Sequence, residues 1–231
     1  TEIYTLSLHD ALPISVGILG GTFDPVHVAH LQMAERAQAA LGLDRVYFLV
    51  SHTPPHKPGT AVTSAWHRYA MVALATAHRP DWVPCPLELE VPGPSYTIDA
   101  LARFGATCGV PAAATVFIAG GDSLRDFRLW REWERLLSEY RFLFVARPGV
   151  TLGGGAEELL AGGRVADGRD WPPERIRAEL SGGARAVLAD LGMPDVSSTG
   201  LRVMLQSHAD CRDLVPETVR RYIQKASLYG G

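Results

Sequence analysis

VGILGGTFDPVHVAH, residues 16–30, is the stretch of sequence that decides the fold. Its first four residues form an apolar run, which is typical of a short parallel strand buried on both faces. The glycines at 20 and 21 predict a sharp turn whose backbone can approach a ligand with no Cβ in the way. Asp24 and Pro25 then give a helix-start signal, so we expect a helix over residues 26–41. The N–H groups and partial positive charge of such a helix start suit a phosphate.

Two histidines, His27 and His30, follow this turn at a spacing of three residues. This spacing predicts that both side chains lie on one face of the first helical turn. Taken alone, such a pair is more often one surface histidine and one core-facing histidine. Placed directly after Gly-Gly-Thr-Phe-Asp-Pro, the two side chains are instead expected to reach a phosphate at the helix start.

The motif resembles the signature of the nucleotidyltransferases that carry His-x-Gly-His, and most closely that of the bacterial nicotinate-nucleotide adenylyltransferases. Ala29 stands where this family usually has glycine. The resemblance implies that His27 and His30 are catalytic and that the turn before them binds the nucleotide. The nucleotide-binding residues of this turn would be Gly20, Gly21, Thr22 and Phe23.

Composition restricts the class of protein. The chain has 231 residues, of which 47% are hydrophobic and 20% charged, as expected for one globular domain with a substantial core. A formal net charge of −3 without a basic block does not indicate a nucleic-acid partner. Three dispersed cysteines without a CxxC pair favour a reduced, cytoplasmic protein and form no zinc motif. The apolar runs are shorter than the ~20 residues of a membrane helix, so no membrane partner is expected; the oligomeric state is left open.

The first fifteen residues do not fit this pattern. They contain no basic segment or sustained apolar core, so they do not form a signal peptide. Residues 4–15 resemble the translation of a sequencing-library adapter. We therefore interpret residues 1–15 as a non-native extension and residues 16–231 as the nucleotidyltransferase domain, with a genuine N-terminal arm as the alternative.

Further strands follow in an alternating strand and helix order. Residues 45–50 are the second strand, and the short links predict a right-handed βαβ unit. An apolar run at residues 115–119 and a further strand within residues 141–149, with Arg147 at its exit, continue the sheet, and no Gly-x-Gly-x-x-Gly fingerprint is present. The fold predicted is a single-domain, Rossmann-like α/β fold with a doubly wound parallel sheet, of the nucleotidyltransferase type.

A second glycine turn, Gly120-Gly121-Asp122-Ser123, comes directly after a predicted strand. The Asp122 carboxylate suits ribose hydroxyls, although it would also serve as a helix N-cap. We expect the next helix over residues 124–137, with Trp130 and Trp133 three residues apart. The resemblance assigns Gly120 and Asp122 to the nucleotide and Trp130 to stacking on a pyridine ring, and leaves Trp133 to the core.

The acceptor side of the predicted site is carried by loops. The proline-rich loop of residues 51–58 is stiff and holds His56 and Lys57, which the resemblance assigns to the substrate phosphate. In Ser95-Tyr96-Thr97, the resemblance places the Thr97 hydroxyl on the nicotinate carboxylate. Alternatively, Ser95 or Thr97 is only a helix cap. Arg147 matches a position near the substrate phosphate, and a solvated loop arginine is its alternative.

Asp195-Val-Ser-Ser-Thr-Gly-Leu-Arg202 is the second strong motif. One of its two serines is expected to cap a helix, with Arg202 one turn further on the same face. The resemblance makes Ser198 and Thr199 part of the ATP site and gives Arg202 a catalytic role as a pyrophosphate clamp.

Together the motifs imply transfer of AMP from ATP to nicotinate mononucleotide, giving nicotinic acid adenine dinucleotide and pyrophosphate. Mg²⁺ would be held mainly by the ATP phosphates, since the sequence offers no carboxylate cage for a metal. The alternatives are another adenylyltransferase of the same fold, with nicotinamide mononucleotide or phosphopantetheine as acceptor, or a non-catalytic nucleotide sensor.

Overall fold

The computed structural model describes residues 14–53, 62–91, 93–149 and 151–230. The described residues form a fully parallel sheet of seven strands. In chain order the strands are β1 (Val16–Gly21), β2 (Arg45–Val50), β3 (Trp82–Cys85), β4 (Thr115–Gly120), β5 (Arg141–Val145), β6 (Ala166–Gly168) and β7 (Ala186–Ala189).

Helices connect these strands and cover both faces of the sheet. They are α1 (Val28–Leu41), α2 (Ala65–Thr76), α3 (Thr97–Cys108), α4 (Asp122–Arg125), α5 (Trp133–Glu139), α6 (Gly154–Ala161), α7 (Pro173–Gly182), α8 (Ser198–Gln206) and α9 (Glu217–Lys225). Short 3₁₀ turns lie at Ala112–Ala114, Phe127–Leu129 and Leu228–Gly230. In the described part of the chain, no helix is long and apolar enough to cross a membrane.

The strand order is β3-β2-β1-β4-β5-β7-β6, so the direction of winding reverses between β1 and β4. Leu19 of β1 is paired with Ile118 of β4, and Gly20 is paired with Leu49 of β2. The ends of the helices leave a crevice outside the carboxyl ends of β1 and β4, where open α/β sheets bind ligands. The predicted doubly wound parallel fold is confirmed.

Successive side chains of each central strand enter opposite cores, as the two-residue period of a strand requires. Ile18 packs against one core and Leu19 against the other. The core that contains Leu19 lies beneath α1, α2, α7, α8 and α9, and the core that contains Ile18 lies beneath α3, α4, α5 and α6. Both faces of the sheet are therefore shielded from solvent, which explains the continuous apolar runs in the sequence.

The connection after β1 differs from the prediction. β1 runs through Gly21, and the residue with left-handed backbone is Phe23, at a φ of 52°, rather than either glycine. Gly20 is required for packing, because a Cβ there would come within 2.3 Å of the Phe117 ring. Helix α1 begins at Val28 with His27 as its N-cap, so the predicted start at residue 26 is wrong.

The predicted helix over residues 124–137 is also wrong. The chain forms α4, then the 3₁₀ turn at Phe127–Leu129, and then α5. Trp130 has extended backbone after the 3₁₀ turn, and Glu132 has a left-handed φ of 54°. The N–H of Trp130 bonds to the carbonyl of Phe127, three residues back, so the i to i−4 ladder of an α-helix is interrupted before the first tryptophan.

Ile14 and Ser15, the first described residues, are integrated into the sheet. The Ile14 side chain is buried in the core beneath α1. The Ser15 N–H donates to the carbonyl of Ala114, and the Ser15 carbonyl accepts from the N–H of Asp44. The interpretation of the N-terminal extension stays a prediction for residues 1–13, which lie outside the described residues.

Candidate active site

Two cavities open at the carboxyl ends of β1 and β4. The Thr97 cavity has a volume of about 190 Å³ and extends between β1, β2 and the start of α3. The histidine cavity has a volume of about 390 Å³ and extends between the start of α1 and the turn after β4. Both are lined by Gly20, Gly21, Thr22, Ser123 and Trp130. The two cavities are therefore halves of one cleft that meet at the end of β1.

His27 and His30 lie side by side in the histidine cavity, with ring centroids 3.8 Å apart. The backbone N–H of His27 donates to Nδ1 of His30 across 3.3 Å. Because Nδ1 accepts this bond, a neutral His30 ring carries its proton on Nε2. The edge-to-face contact between His30 and Phe23, at 5.0 Å, further fixes the orientation of the ring.

His27 is nearly inaccessible to solvent, at 3% exposure. Burial, together with the smaller effect of the positive charge of Arg147, lowers its pKa from 6.5 to about 3. The His27 ring is therefore neutral near pH 7. Its Nδ1 atom is buried and has no hydrogen-bond partner among the described residues. A ring nitrogen in this state is costly to bury, and a ligand in the cavity would offer it a partner.

Gly120, Asp122 and Arg147 line the histidine cavity opposite the histidines. Asp122 is the first residue of α4 and not its N-cap, which is Gly121. Its carboxylate folds over Gly120, since a Cβ on that glycine would lie 2.3 Å from Asp122 Oδ1. Arg147 donates a hydrogen bond to the carbonyl of Val196. The site residues predicted from the second glycine turn thus share a cavity with those of the first.

Ser198 and Arg202 contact the turn after β1, Thr199 contacts Arg202, and none of the three lines either cavity. Arg202 donates from Nη1 to the carbonyl of Asp24 across 2.8 Å and from Nη2 to Thr199 Oγ1 across 3.2 Å. Ser198 Oγ donates to the carbonyl of Pro25 at 3.2 Å. Of the two candidate serines, Ser197 is the N-cap of α8, and its Oγ accepts from the N–H of Gly200.

The structure overturns one expectation about the turn after β1 and restricts another. Asp24 does not cap α1: one carboxylate oxygen accepts from the hydroxyl of Tyr229, and the other accepts from the N–H of Thr63 at 3.3 Å. The first N–H of α1, that of Val28, is not available to a phosphate, because it donates to the carbonyl of Leu214 at 3.0 Å.

The Thr97 cavity is bounded by Trp130 and by the start of α3. Trp130 packs against Phe127 at 5.1 Å and meets Phe117 nearly perpendicularly at 6.2 Å between ring centroids. Thr97 is the first residue of α3, and neither it nor Ser95 caps the helix, since the N-cap is Tyr96. The Ser95 hydroxyl instead accepts from the N–H of His52 at 2.8 Å.

Sequence reasoning did not identify the two charged side chains that line this cavity, Glu88 and Arg131. Glu88 is 4% exposed and pairs with Arg103. Burial raises the pKa of Glu88, and the charge of Arg103 opposes that shift. Arg131 lies 5.0 Å above the ring of Tyr96 and 3.0 Å from Asp99. Glu88 alternates with apolar residues in the sequence, which is typical of a solvated strand face and gave no functional signal.

His56 and Lys57, the residues predicted to hold the substrate phosphate, lie outside the described residues. Their roles stay predictions. Among the described residues, no group of three or more His, Cys, Asp or Glu side chains could hold a metal ion. The carboxylates of Asp122 and Asp126 both line the histidine cavity, where they could approach a cation carried by a ligand.

Comparisons with known proteins agree on the family of this chain. Residues 18–204 match the family model described as cytidylyltransferase-like. A protein of Symbiobacterium thermophilum named "Probable nicotinate-nucleotide adenylyltransferase" is 41% identical over 214 residues, which are 93% of this chain and 94% of the relative. A protein of Aeromonas hydrophila with the same name is 39% identical, covering 93% of this chain and 96% of the relative.

Solved structures show the same fold. The nicotinic acid mononucleotide adenylyltransferase of Plasmodium falciparum complexed with NaAD superposes with a TM-score of 0.69 at 19% sequence identity. This superposition covers 93% of this chain and 97% of the other. The Plasmodium falciparum enzyme complexed with APC superposes with a TM-score of 0.67 at 17% identity, over 93% of this chain and 96% of the other.

Proposed function

Since the chain belongs to the cytidylyltransferase-like family, on the branch of the nicotinate-nucleotide adenylyltransferases, we propose that it transfers AMP from ATP to nicotinate mononucleotide. The products are nicotinic acid adenine dinucleotide and pyrophosphate, and the reaction is a step of NAD biosynthesis. One structural observation carries this assignment: two cavities of different chemistry meet at the end of β1, as the transfer of a group between two bound substrates requires.

ATP is assigned to the histidine cavity. Phosphates there would lie beside His30, whose Nε2–H is the donor in the neutral tautomer. Arg147 supplies positive charge to the same cavity. Asp122 is placed to accept hydrogen bonds from ribose hydroxyls. Arg202 and Ser198 contact the turn from outside the lining, and Thr199 contacts Arg202. Their ATP-binding role therefore requires Arg202 to exchange a backbone carbonyl for phosphate.

Nicotinate mononucleotide is assigned to the Thr97 cavity. This cavity is bounded by Trp130, whose indole suits stacking with an electron-poor pyridine ring. Thr97, at the start of α3, offers its hydroxyl and the helix N-terminus to a carboxylate. His56 and Lys57 are assigned to the phosphate of this substrate on the sequence motif alone.

The reaction needs no general base. The acceptor phosphate has a second pKa near ~6, so at neutral pH it is already mostly ionised and nucleophilic. One of its oxygens forms a bond to the α-phosphorus of ATP, and the bond from that phosphorus to pyrophosphate breaks with its electron pair. The chain's contribution is to align the two substrates and to donate hydrogen bonds where negative charge builds up. His27, being neutral, offers one N–H donor and one nitrogen lone pair and adds no positive charge.

Mg²⁺ is part of this proposal as a companion of ATP. Two carboxylates at the histidine cavity, those of Asp122 and Asp126, fit a cation that keeps most of its ligands from phosphate and water. Such a cation would neutralise charge on the phosphates of ATP and of the leaving pyrophosphate.

The experiment that tests the proposal is the initial rate of pyrophosphate release with ATP, Mg²⁺ and each candidate acceptor. We expect kcat/KM to be highest with nicotinate mononucleotide. A higher value with nicotinamide mononucleotide or phosphopantetheine would replace the acceptor in the proposal. ATP binding without pyrophosphate release for any acceptor would favour a nucleotide sensor and contradict the proposed activity.

A further inference from the structure

Arg68, in the first turn of α2, is the largest of the fully buried side chains, at 1% exposure. A buried charge is costly unless its donors are satisfied. The Arg68 guanidinium makes three hydrogen bonds to the described residues, and each acceptor is a backbone carbonyl oxygen. These bonds run from Nη1 to Thr22 at 2.7 Å, from Nη2 to His52 at 2.8 Å, and from Nε to Thr63 at 2.8 Å.

The three carbonyls belong to different parts of the cleft. Thr22 follows β1 and lines both cavities. His52 follows β2, and Thr63 precedes α2. Because a guanidinium is a rigid planar fork, it fixes the directions of its acceptors relative to one another. Arg68 therefore sets where the backbone after β2 lies relative to the turn after β1.

From His52, a further hydrogen bond leads to the wall of the Thr97 cavity. The N–H of His52 donates to Ser95 Oγ, and Ser95 lines that cavity. The Ser95 hydroxyl in turn hydrogen-bonds Glu88, which is paired with Arg103. A continuous set of polar contacts thus joins the wall of the Thr97 cavity to Thr22, where the two cavities meet.

We propose that Arg68 is a positioning residue that fixes the Thr97 cavity relative to the histidine cavity, so that the acceptor phosphate lies in line with the α-phosphorus of ATP. The inference rests on the proposed function. Arg68 lines neither cavity, so it acts through the carbonyls it holds. Substitution of Arg68 should leave each cavity able to bind its own ligand, but the two bound substrates should no longer be aligned for the reaction.

Two substitutions distinguish the effect of the Arg68 charge from the effect of its hydrogen-bond geometry. The Asp24 carboxylate stabilises the positive charge from nearby, while burial lowers the pKa of the guanidinium. Arg68→Lys keeps the charge beside Asp24 but loses the planar fork that holds three carbonyls. Arg68→Met removes both the charge and the hydrogen bonds at a similar side-chain length.

Arg141 provides a matched control elsewhere in the molecule. It is also buried, at 7% exposure, and its guanidinium also donates to backbone carbonyls, those of Leu180 and Ala113. Arg141 begins β5, at the end of the sheet opposite the cleft. Substitution of Arg141 therefore reports the cost of removing a buried arginine without disturbing the alignment of the two cavities.

The experiment compares Arg68→Lys and Arg68→Met with Arg141→Lys and Arg141→Met. Initial rates give kcat and both KM values, and titrations give Kd for ATP, nicotinate mononucleotide and the dinucleotide product, which spans both cavities. For the Arg68 variants we expect kcat to fall by about 10²-fold while each KM changes little. Product Kd should rise by about tenfold more than Kd for either substrate alone. The Arg141 variants should show a lower Tm with kcat and product Kd close to wild type.

If Arg68→Met does not fold, Arg68→Lys carries the comparison alone. A folded Arg68→Lys variant with wild-type kcat and product affinity overturns the inference. So does a loss confined to Tm, or a rise in both substrate KM values as large as the loss in kcat/KM. If the wild-type protein releases no pyrophosphate, the proposed function fails, and binding of ATP and the dinucleotide still tests Arg68.

Discussion

His27 and His30 are three residues apart and adjacent in space, yet their environments give them different chemistry. His27 is buried and neutral, with its Nδ1 unpaired among the described residues. His30 is half-buried, and its tautomer is set by the backbone N–H of His27. The His-x-x-His spacing predicted the shared location, but it does not contain the hydrogen bond that distinguishes the two rings.

His30→Ala should lower kcat strongly while changing the KM for ATP much less. The physical reason is that an aligned N–H donor acts where charge develops in the transition state, and removing such a donor typically costs ~10²–10³ in kcat. The measurement is steady-state kinetics with ATP as the varied substrate.

The pH dependence separates this role from general-base catalysis. Because the acceptor phosphate is already ionised, raising the pH from about 6 to 9 should not restore the rate of His30→Ala. His30→Asn keeps one N–H donor and should recover part of kcat if its shorter side chain still reaches. A large rescue of His30→Ala at high pH would identify His30 as a base and contradict the mechanism.

The buried, neutral state of His27 predicts a pH dependence of stability. Its pKa is about 3 in the folded protein and 6.5 in an unfolded chain. Below pH 6.5 the unfolded chain binds a proton that the folded protein excludes, so the free energy of unfolding falls as the pH falls towards 3. Urea unfolding at several pH values between about 4 and 7.5 measures this slope.

His27→Gln should remove this part of the slope, because glutamine has no proton to gain. His78→Gln is the matched control, since His78 is exposed on the helix-to-strand connection after α2. Equal slopes in wild type and His27→Gln would show that His27 does not exclude a proton on folding.

At the level of elements, strands could be predicted and the helix boundaries near the site could not. β2 has the predicted bounds, β1 and β4 extend the predicted runs by two residues and one residue, and β5 lies within the predicted stretch 141–149. These strands could be predicted because a strand buried on both faces needs a continuous apolar run. The segment 149–192 gave no such pattern, yet it contributes β6 and β7, which are short strands at one side of the sheet.

The two wrong helix predictions near the site are explained by contacts with distant parts of the chain. Asp24 and Pro25 have the local chemistry of a helix start. The Asp24 carboxylate instead accepts hydrogen bonds from Tyr229 and Thr63, which are distant in the sequence. The interruption before Trp130 places its indole beside Phe117 and Phe127, in the lining of both cavities. Residues that resemble a continuous helix therefore turn into the cleft where the site needs an aromatic wall.

Trp130→Ala should weaken the binding of nicotinate mononucleotide while leaving ATP binding nearly unchanged. Loss of stacking on an aromatic ring costs on the order of 1–3 kcal/mol by analogy with base–aromatic contacts. Isothermal titration with each ligand measures the two affinities separately.

Trp133→Ala is the natural comparison. Trp133 packs against the same core as Trp130 but does not line either cavity, so its loss should lower Tm and leave both affinities unchanged. Equal losses of ATP and mononucleotide affinity in Trp130→Ala would place Trp130 in a structural role instead.

At the scale of the whole molecule, the site is assembled by contacts between distant parts of one chain. The two glycine turns and Thr97 converge because parallel strands place their carboxyl ends at one edge of the sheet. The alignment of the two cavities, by contrast, depends on Arg68, whose acceptors carry no side-chain signal because they are backbone carbonyls. The sequence pattern can therefore predict the residues of the site better than their relative placement.

Deletion of residues 1–13 should leave Tm and kcat unchanged, because the composition of this segment indicates no role in the fold or the site. Differential scanning calorimetry and the pyrophosphate assay measure the two quantities. Deletion of residues 1–15 is the paired test: it also removes the buried Ile14 and the Ser15 bonds, and should cost on the order of 2 kcal/mol. A collapse of activity in the shorter deletion would show that residues 1–13 belong to the functional protein.

The turn after β1 is held by residues that are synthesised long after it. Asp24 precedes its partner Tyr229 by 205 residues, and its carbonyl precedes Arg202 by 178. At ~5–20 residues per second, a growing chain needs roughly 10–40 s to add the last of these partners. We therefore expect a ribosome-bound chain to form its first strands before it can bind ATP tightly, so that the enzyme becomes active only near the end of its own synthesis.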